Sequence, residues 1–196
     1  MPKNTFFNLS EEKKQKIYAA AVKEFSTQRF SEASINQIVK TADIPRGSFY
    51  QYFEGKEDVY LYMFDQMTKE KRGVYNYHEI FSPEDDFTGS GIKLIKATFE
   101  WGRQHPEYAR IAMLMEIDDS GFIKRIRASI IDKFAEMLAH DKQRGLIRHD
   151  ADLALAGDML FTLIWKQFSL FGSDEKQFFK KLTEGFEIIR KGIAVL

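Results

Sequence analysis

Two short helical segments set three residues apart restrict what this chain can fold into more than any other feature. Ile35, Ile38, Val39 and Ala42 recur at i, i+3, i+4 and i+7, a helix of roughly two turns with one apolar face, and Ser34 precedes it as N-cap. The pattern stops at "ADIPRG". Asp43 tolerates a left-handed backbone better than most non-glycine residues, and Pro45 fixes φ as the first turn of a helix requires. The next helix is therefore expected from about Pro45 to Glu54-Gly55, with Lys56-Glu57-Asp58 starting another. Ahead of both, Ser10 caps a longer helix with Glu11 and Glu12 in its first turn. Ile17, Ala21 and Phe25 stripe that helix, which ends near Ser26 or Thr27. A tight turn between two short helices, behind a longer one, is helix-turn-helix geometry.

Laid out at about 100° per residue, the helix after the turn points Phe49, Phe53 and the flank of Tyr52 inward. Arg46, Gly47, Tyr50 and Gln51 fall outward, with Ser48 at the border. The inner side holds the three helices together, and the outer side is furnished to touch something anionic and flat. Gly47 lets backbone approach a phosphate or a base edge; Arg46 pairs with phosphate or binds guanine, and Gln51 suits adenine. The hydroxyls of Ser48, Tyr50 and Tyr52 suit phosphates, contacts that position without carrying sequence information. Lys56, with the first amides of its helix, forms an anion site, as Ser34 does for the earlier helix.

Downstream no strand pattern competes. Lys56 to Ile80 reads as one long helix, "FSPEDDFTGSG" as a loop, and three further helices follow to about Gln143. Two strongly apolar helices, about 151–171 and 174–194, close the chain. Leu153 to Phe171 is apolar nearly all round, which a monomer's surface helix cannot be. The expected dimer interface there comprises Ala154, Gly157 and Phe161 on the first helix and Phe178, Leu182, Phe186 and Ile189 on the second. The length, 196 residues, suits one domain or a small module joined to a larger one.

Composition excludes several classes. With no cysteine there is no disulfide, thiolate metal site or cysteine nucleophile. The four histidines are scattered without Glu-x-x-His or His-Glu-x-x-His spacing, so neither a metal nor a cofactor is expected. The longest apolar run, "MLFTLIW", is far short of the ~18 residues of a membrane span; no membrane association and a cytoplasmic location are expected. The chain is neutral overall, but residues 1–56 carry nine Lys or Arg against six Asp or Glu, a net +3 offset by −3 in the remainder.

Residues 10–60 resemble the DNA-binding domain of the tetracycline-repressor (TetR) family of bacterial transcription regulators. The resemblance rests on "FSEASINQIVKTADIPRGSFYQYFEGKEDVY". Two positions depart from that pattern: Asp43 stands where the turn usually has glycine, and Arg29 replaces the glycine usual before the aromatic at Phe30, both being left-handed sites. The resemblance implies an all-α chain, with a helix-turn-helix bundle over 1–56 and a larger helical effector-binding and dimerisation domain over 57–196. It further implies a homodimer that holds double-stranded DNA at a near-palindromic operator and acts as a repressor, not an enzyme. A small apolar or aromatic effector would sit between helices, with Phe99, Trp101, Tyr108, Met113, Phe122, Phe134, Met137, Phe161 and Trp165 as candidate lining. An all-helical protein-interaction module and a helical-bundle enzyme are the alternatives.

Overall fold

The computed structural model describes residues 1–195, apart from the side chains of Val74 and Tyr77. They form the helices α1 (Asn4–Phe7), α2 (Glu11–Phe25), α3 (Ile35–Thr41), α4 (Arg46–Tyr52), α5 (Lys56–Val74), α6 (Tyr77–Ile80), α7 (Phe87–Gln104), α8 (Pro106–Glu116), α9 (Gly121–Gln143), α10 (Leu153–Phe171) and α11 (Glu175–Ile193). Among the described residues there is no strand, only an isolated antiparallel bridge between Ile147 and Ala194. The all-α expectation holds.

Helix boundaries follow local chemistry. Ser10 Oγ accepts the Lys13 amide at 3.4 Å, Asp152 accepts that of Leu155 at 3.0 Å, and Asp174 accepts that of Gln177 at 3.1 Å. The single helix expected from Lys56 to Ile80 is two helices, because Tyr75 leaves the helical region at φ −82°, ψ 130°. Gly73 weakens the last turn of α5, and Asn76 favours a turn; the Asn76 carbonyl then accepts the Glu79 and Ile80 amides, both at 3.1 Å. Conversely, residues 87–91, read as loop, open α7, because Asp86 Oδ1 caps it through the Gly89 amide at 3.0 Å.

By compactness the chain divides into two units, Met1–Tyr75 with Phe99–Lys124, and Asn76–Thr98 with the residues from Arg125 on. In the first, Ile17, Ala21 and Phe25 of α2 are buried together with Ile38, Phe49, Phe53, Val59 and Met63, all with 0–1% of their surface exposed. Helices as short as α3 and α4 are marginal alone, so this shared core is what holds them. Phe30 packs on Phe122 at 4.5 Å between ring centroids and on Tyr60 at 5.3 Å. The Tyr18 hydroxyl donates to that of Tyr108 at 2.7 Å, which donates to Glu70 at 2.9 Å, tying α2, α8 and α5 together.

In the second unit α10 and α11 form a helical hairpin whose inner side chains, Leu160, Phe178, Leu182 and Phe186, are buried with Leu138 of α9. A Cβ on Gly157 would lie 3.2 Å from Ala135 N and Ile131 O, so the α9 and α10 backbones meet closely there. Asp141, 2% exposed, accepts the Phe87 amide at 2.6 Å and Arg144 Nη1 at 3.0 Å. These contacts account for most of the side chains expected at a dimer interface. Gly157, Phe161, Phe178, Leu182, Phe186 and Ile189 are all buried inside the subunit, because the α11 stripe faces its own hairpin partner, and only Ala154 is exposed.

Candidate nucleic-acid interface

The turn between α3 and α4 is closed by backbone. The Ala42 amide donates to Ile38 O at 2.9 Å and the Ile44 amide to Val39 O at 3.1 Å. Asp43 takes φ 53°, as its sequence suggested. It is the only non-glycine residue at positive φ among those described, so Arg29 is not left-handed. Arg29 instead pairs with the Glu32 carboxylate.

On α4 the expected two-sidedness is present. Phe49 and Tyr52 are buried, Arg46, Gly47, Tyr50 and Gln51 are exposed, and Ser48 is half-buried. A Cβ added to Gly47 would meet nothing within 4 Å. The packing of the fold therefore does not require the missing side chain there. The Arg46 guanidinium donates to Asn36 Oδ1 on α3, an orienting partner that sequence reasoning missed. Ser34 is exposed and its hydroxyl makes no capping bond to α3.

Two expected contact residues have inward roles. The Tyr52 ring lies at 6.3 Å from that of Phe6, with the Lys13 ammonium 5.7 Å from its centre. Lys56 Nζ donates to Ala33 O at 2.9 Å and Ser31 O at 3.3 Å and lies 4.7 Å from the Phe30 ring centre. Burial pushes its pKa down. Its charge thus holds the segment before α3 rather than standing open to an anion.

Two buried carboxylates complete that hold, and neither was singled out from sequence. Glu24, 6% exposed, accepts the Ser34 amide at 2.7 Å. Asp118, fully buried, accepts the amides of Ser31 at 2.7 Å and Ser120 at 2.8 Å. The signal for Glu24 was an acid between buried neighbours on α2; the signal for Asp118 was its place in "DDSG" before α9.

Residues 17–63 match the model of the tetR family of bacterial regulatory proteins. The helix-turn-helix part of the chain is thus similar to that of this family. The HTH-type transcriptional regulator SrpR of Pseudomonas putida is 26% identical over 153 residues, 74% of this chain and 68% of that protein. A TetR-family regulator from Chloroflexus aurantiacus J-10-FL, 23% identical, covers 100% of both chains with a TM-score of 0.65. FadR of Bacillus subtilis, solved in complex with stearoyl-CoA, is 19% identical, covering 92% of this chain and 99% of that one, with a TM-score of 0.67. The chain is a DNA-binding transcriptional regulator of the helix-turn-helix type.

The nine side chains expected around an effector fall in both units. In the first unit Trp101 stacks on His105 at 4.3 Å and on Tyr108 at 4.7 Å between centroids, Phe122 packs on Phe30, Phe99 is half-buried, and Met113 is 51% exposed. In the second, Phe161 lies at 6.2 Å from Trp165 by ring centroid, and Phe134 and Met137 are half-buried. A cleft of about 480 Å³ in the second unit is lined by other residues, among them Asp86, Asp141, Arg144 and Arg190. Among the described residues no group of His, Asp or Glu could hold a metal ion, and no helix is long and apolar enough to cross a membrane.

Proposed function

We propose that this regulator is a cytoplasmic, homodimeric repressor that holds a near-palindromic operator and is released from it by a small molecule. The observation that carries the reading is the outward side of α4, where Arg46, Gly47, Tyr50 and Gln51 stand exposed on a helix whose other side is core. In this reading Gln51 and Arg46 contact base edges, Ser34, Ser48 and Tyr50 contact phosphates, and Gly47 admits close backbone approach. Tyr52 and Lys56 support from behind. Residues 1–56 form the DNA-binding part, and residues 57–196 form the effector-binding and dimerising part.

Exposed apolar side chains support the dimer. Leu155, Met159 and Leu170 lie within about 60° of one another around α10 and are 56%, 47% and 55% exposed, and Ile188 on α11 is 72% exposed. A second copy of this chain covering them would set two α4 helices about one DNA turn, or a multiple, apart. The effector is a small molecule, apolar or aromatic in character, held in the helical body; the like-folded FadR holds stearoyl-CoA. Release requires that the effector bind the DNA-free arrangement more tightly than the DNA-bound one. No metal or cofactor enters this reading, nor does any catalytic step.

The test is selection of an operator from a random duplex pool, followed by anisotropy for wild type, Tyr50→Ala and Gln51→Ala. A palindromic site should emerge and binding should weaken steeply with salt. Gln51→Ala should cost about 1–3 kcal/mol and relax preference at one base position. A folded protein that enriches no sequence at low salt would sink the proposal.

A further inference from the structure

A seven-residue helix such as α4 leaves its last four carbonyls without intrahelical partners. All four are met here. Phe49 O accepts the Phe53 amide at 2.9 Å. The remaining three accept from residues far away in the sequence. Lys3 Nζ donates to Tyr50 O at 2.9 Å, the Thr5 hydroxyl donates to Gln51 O, and the Lys3 amide donates to Tyr52 O at 2.8 Å.

The segment that supplies these donors is itself anchored. Phe6, 1% exposed, sets its ring against Tyr62 at 4.7 Å, Phe53 at 5.1 Å and Tyr52 at 6.3 Å by centroid. Lys3 Nζ also pairs with Glu54 at 2.9 Å. At its other end α4 has no side-chain cap, since Pro45 occupies the N-cap position. The capping of the α4 backbone by other segments therefore lies at its C-terminal turn, and its donors reach the backbone of Tyr50 and Gln51, the two residues that face outward there.

We propose that Lys3, Thr5 and Phe6 form a clamp that positions the DNA-reading side chains of α4 and so sets operator specificity without touching a base. Lys3 and Thr5 are positioning residues, and Phe6 is the pin that seats them. Without the clamp the last turn of α4 frays, and Tyr50 and Gln51 spread over several placements. Base reading, which depends on geometry, then weakens, whereas long-range attraction to phosphate, which depends on charge, persists. The proposal rests on the DNA-binding reading above.

The experiment measures binding of the full chain to its selected operator and to random duplex across a salt series. Wild type, Thr5→Val, Thr5→Ser and Phe6→Ala are compared, with circular dichroism melts alongside. Thr5→Val removes a hydroxyl and no charge. It should lower operator affinity about 3- to 10-fold, as loss of one hydrogen bond gives, with random-duplex affinity and salt slope unchanged, and Thr5→Ser should restore it. Phe6→Ala should lower operator affinity further; should it unfold the head, Thr5→Val and Thr5→Ser decide alone. Undiminished operator preference in Thr5→Val would overturn the clamp while leaving DNA binding intact. Equal losses on operator and random duplex would overturn it too, as a merely structural contact. A wild type without operator preference would overturn the DNA-binding reading and the clamp with it.

Discussion

Asp118 shows how much one buried side chain can decide. Burial by itself would raise its carboxyl, but hydrogen bonds from Ser120 and Ser31 outweigh that and bring it from 3.8 down to about 2. A carboxyl held lower in the folded chain contributes its stability in full above the ordinary value and loses it as pH falls toward the folded one. Acid should therefore remove about 2 kcal/mol between pH ~5 and ~2 through this group. Denaturant unfolding at stepped pH should show that loss in wild type and lack it in Asp118→Asn. An identical acid slope in the two proteins would contradict this role. The linkage reaches the site because the same carboxylate fixes the Ser31 amide, beside the two carbonyls that Lys56 holds.

At the scale of elements, two helical glycines separate a close packing contact from an open helix face. On Gly157 a Cβ would strike backbone atoms of α9 at 3.2 Å, and backbone yields less readily than a flexible side chain. Gly157→Ala should thus destabilise the second unit by about 1–3 kcal/mol, read from denaturant melts. On Gly47 a Cβ would meet nothing within 4 Å, and alanine favours a helix over glycine by up to about 1 kcal/mol. Gly47→Ala should leave stability unchanged or higher while weakening operator binding. A variant that binds the operator as well as wild type would show that nothing approaches the backbone there. The sequence placed Gly47 on the outward side of its helix; that Gly157 meets α9 of its own subunit was not legible there. What lies opposite each helix separates them.

For the whole molecule, the distribution of exposed apolar side chains argues for a second copy. Leu155, Met159 and Leu170 form a row on one side of α10, an exposed apolar surface that supports the proposed dimer. Met159→Asp should yield a folded monomer in sedimentation. Its operator affinity should fall about 10²- to 10⁴-fold, because the second half-site is no longer held at high effective concentration. A Met159→Asp protein that sediments as a dimer would move the interface elsewhere.

By itself the sequence determined the helical class, the α2–α3–turn–α4 unit and the outward residues of α4. Each of these follows from local rules: apolar spacing, caps, and a turn residue that tolerates φ 53°. Only the tertiary structure decided three further matters. It turned Phe178, Leu182 and Phe186 inward to their own hairpin, because an apolar stripe records that a partner exists without recording which one. It gave Lys56 to carbonyls before α3 and brought Asp118 to Ser31 across 87 residues of chain. And it set Lys3 and Thr5 on the end of α4, since periodicity describes neighbours one turn away and is silent about which distant donor meets an orphan carbonyl.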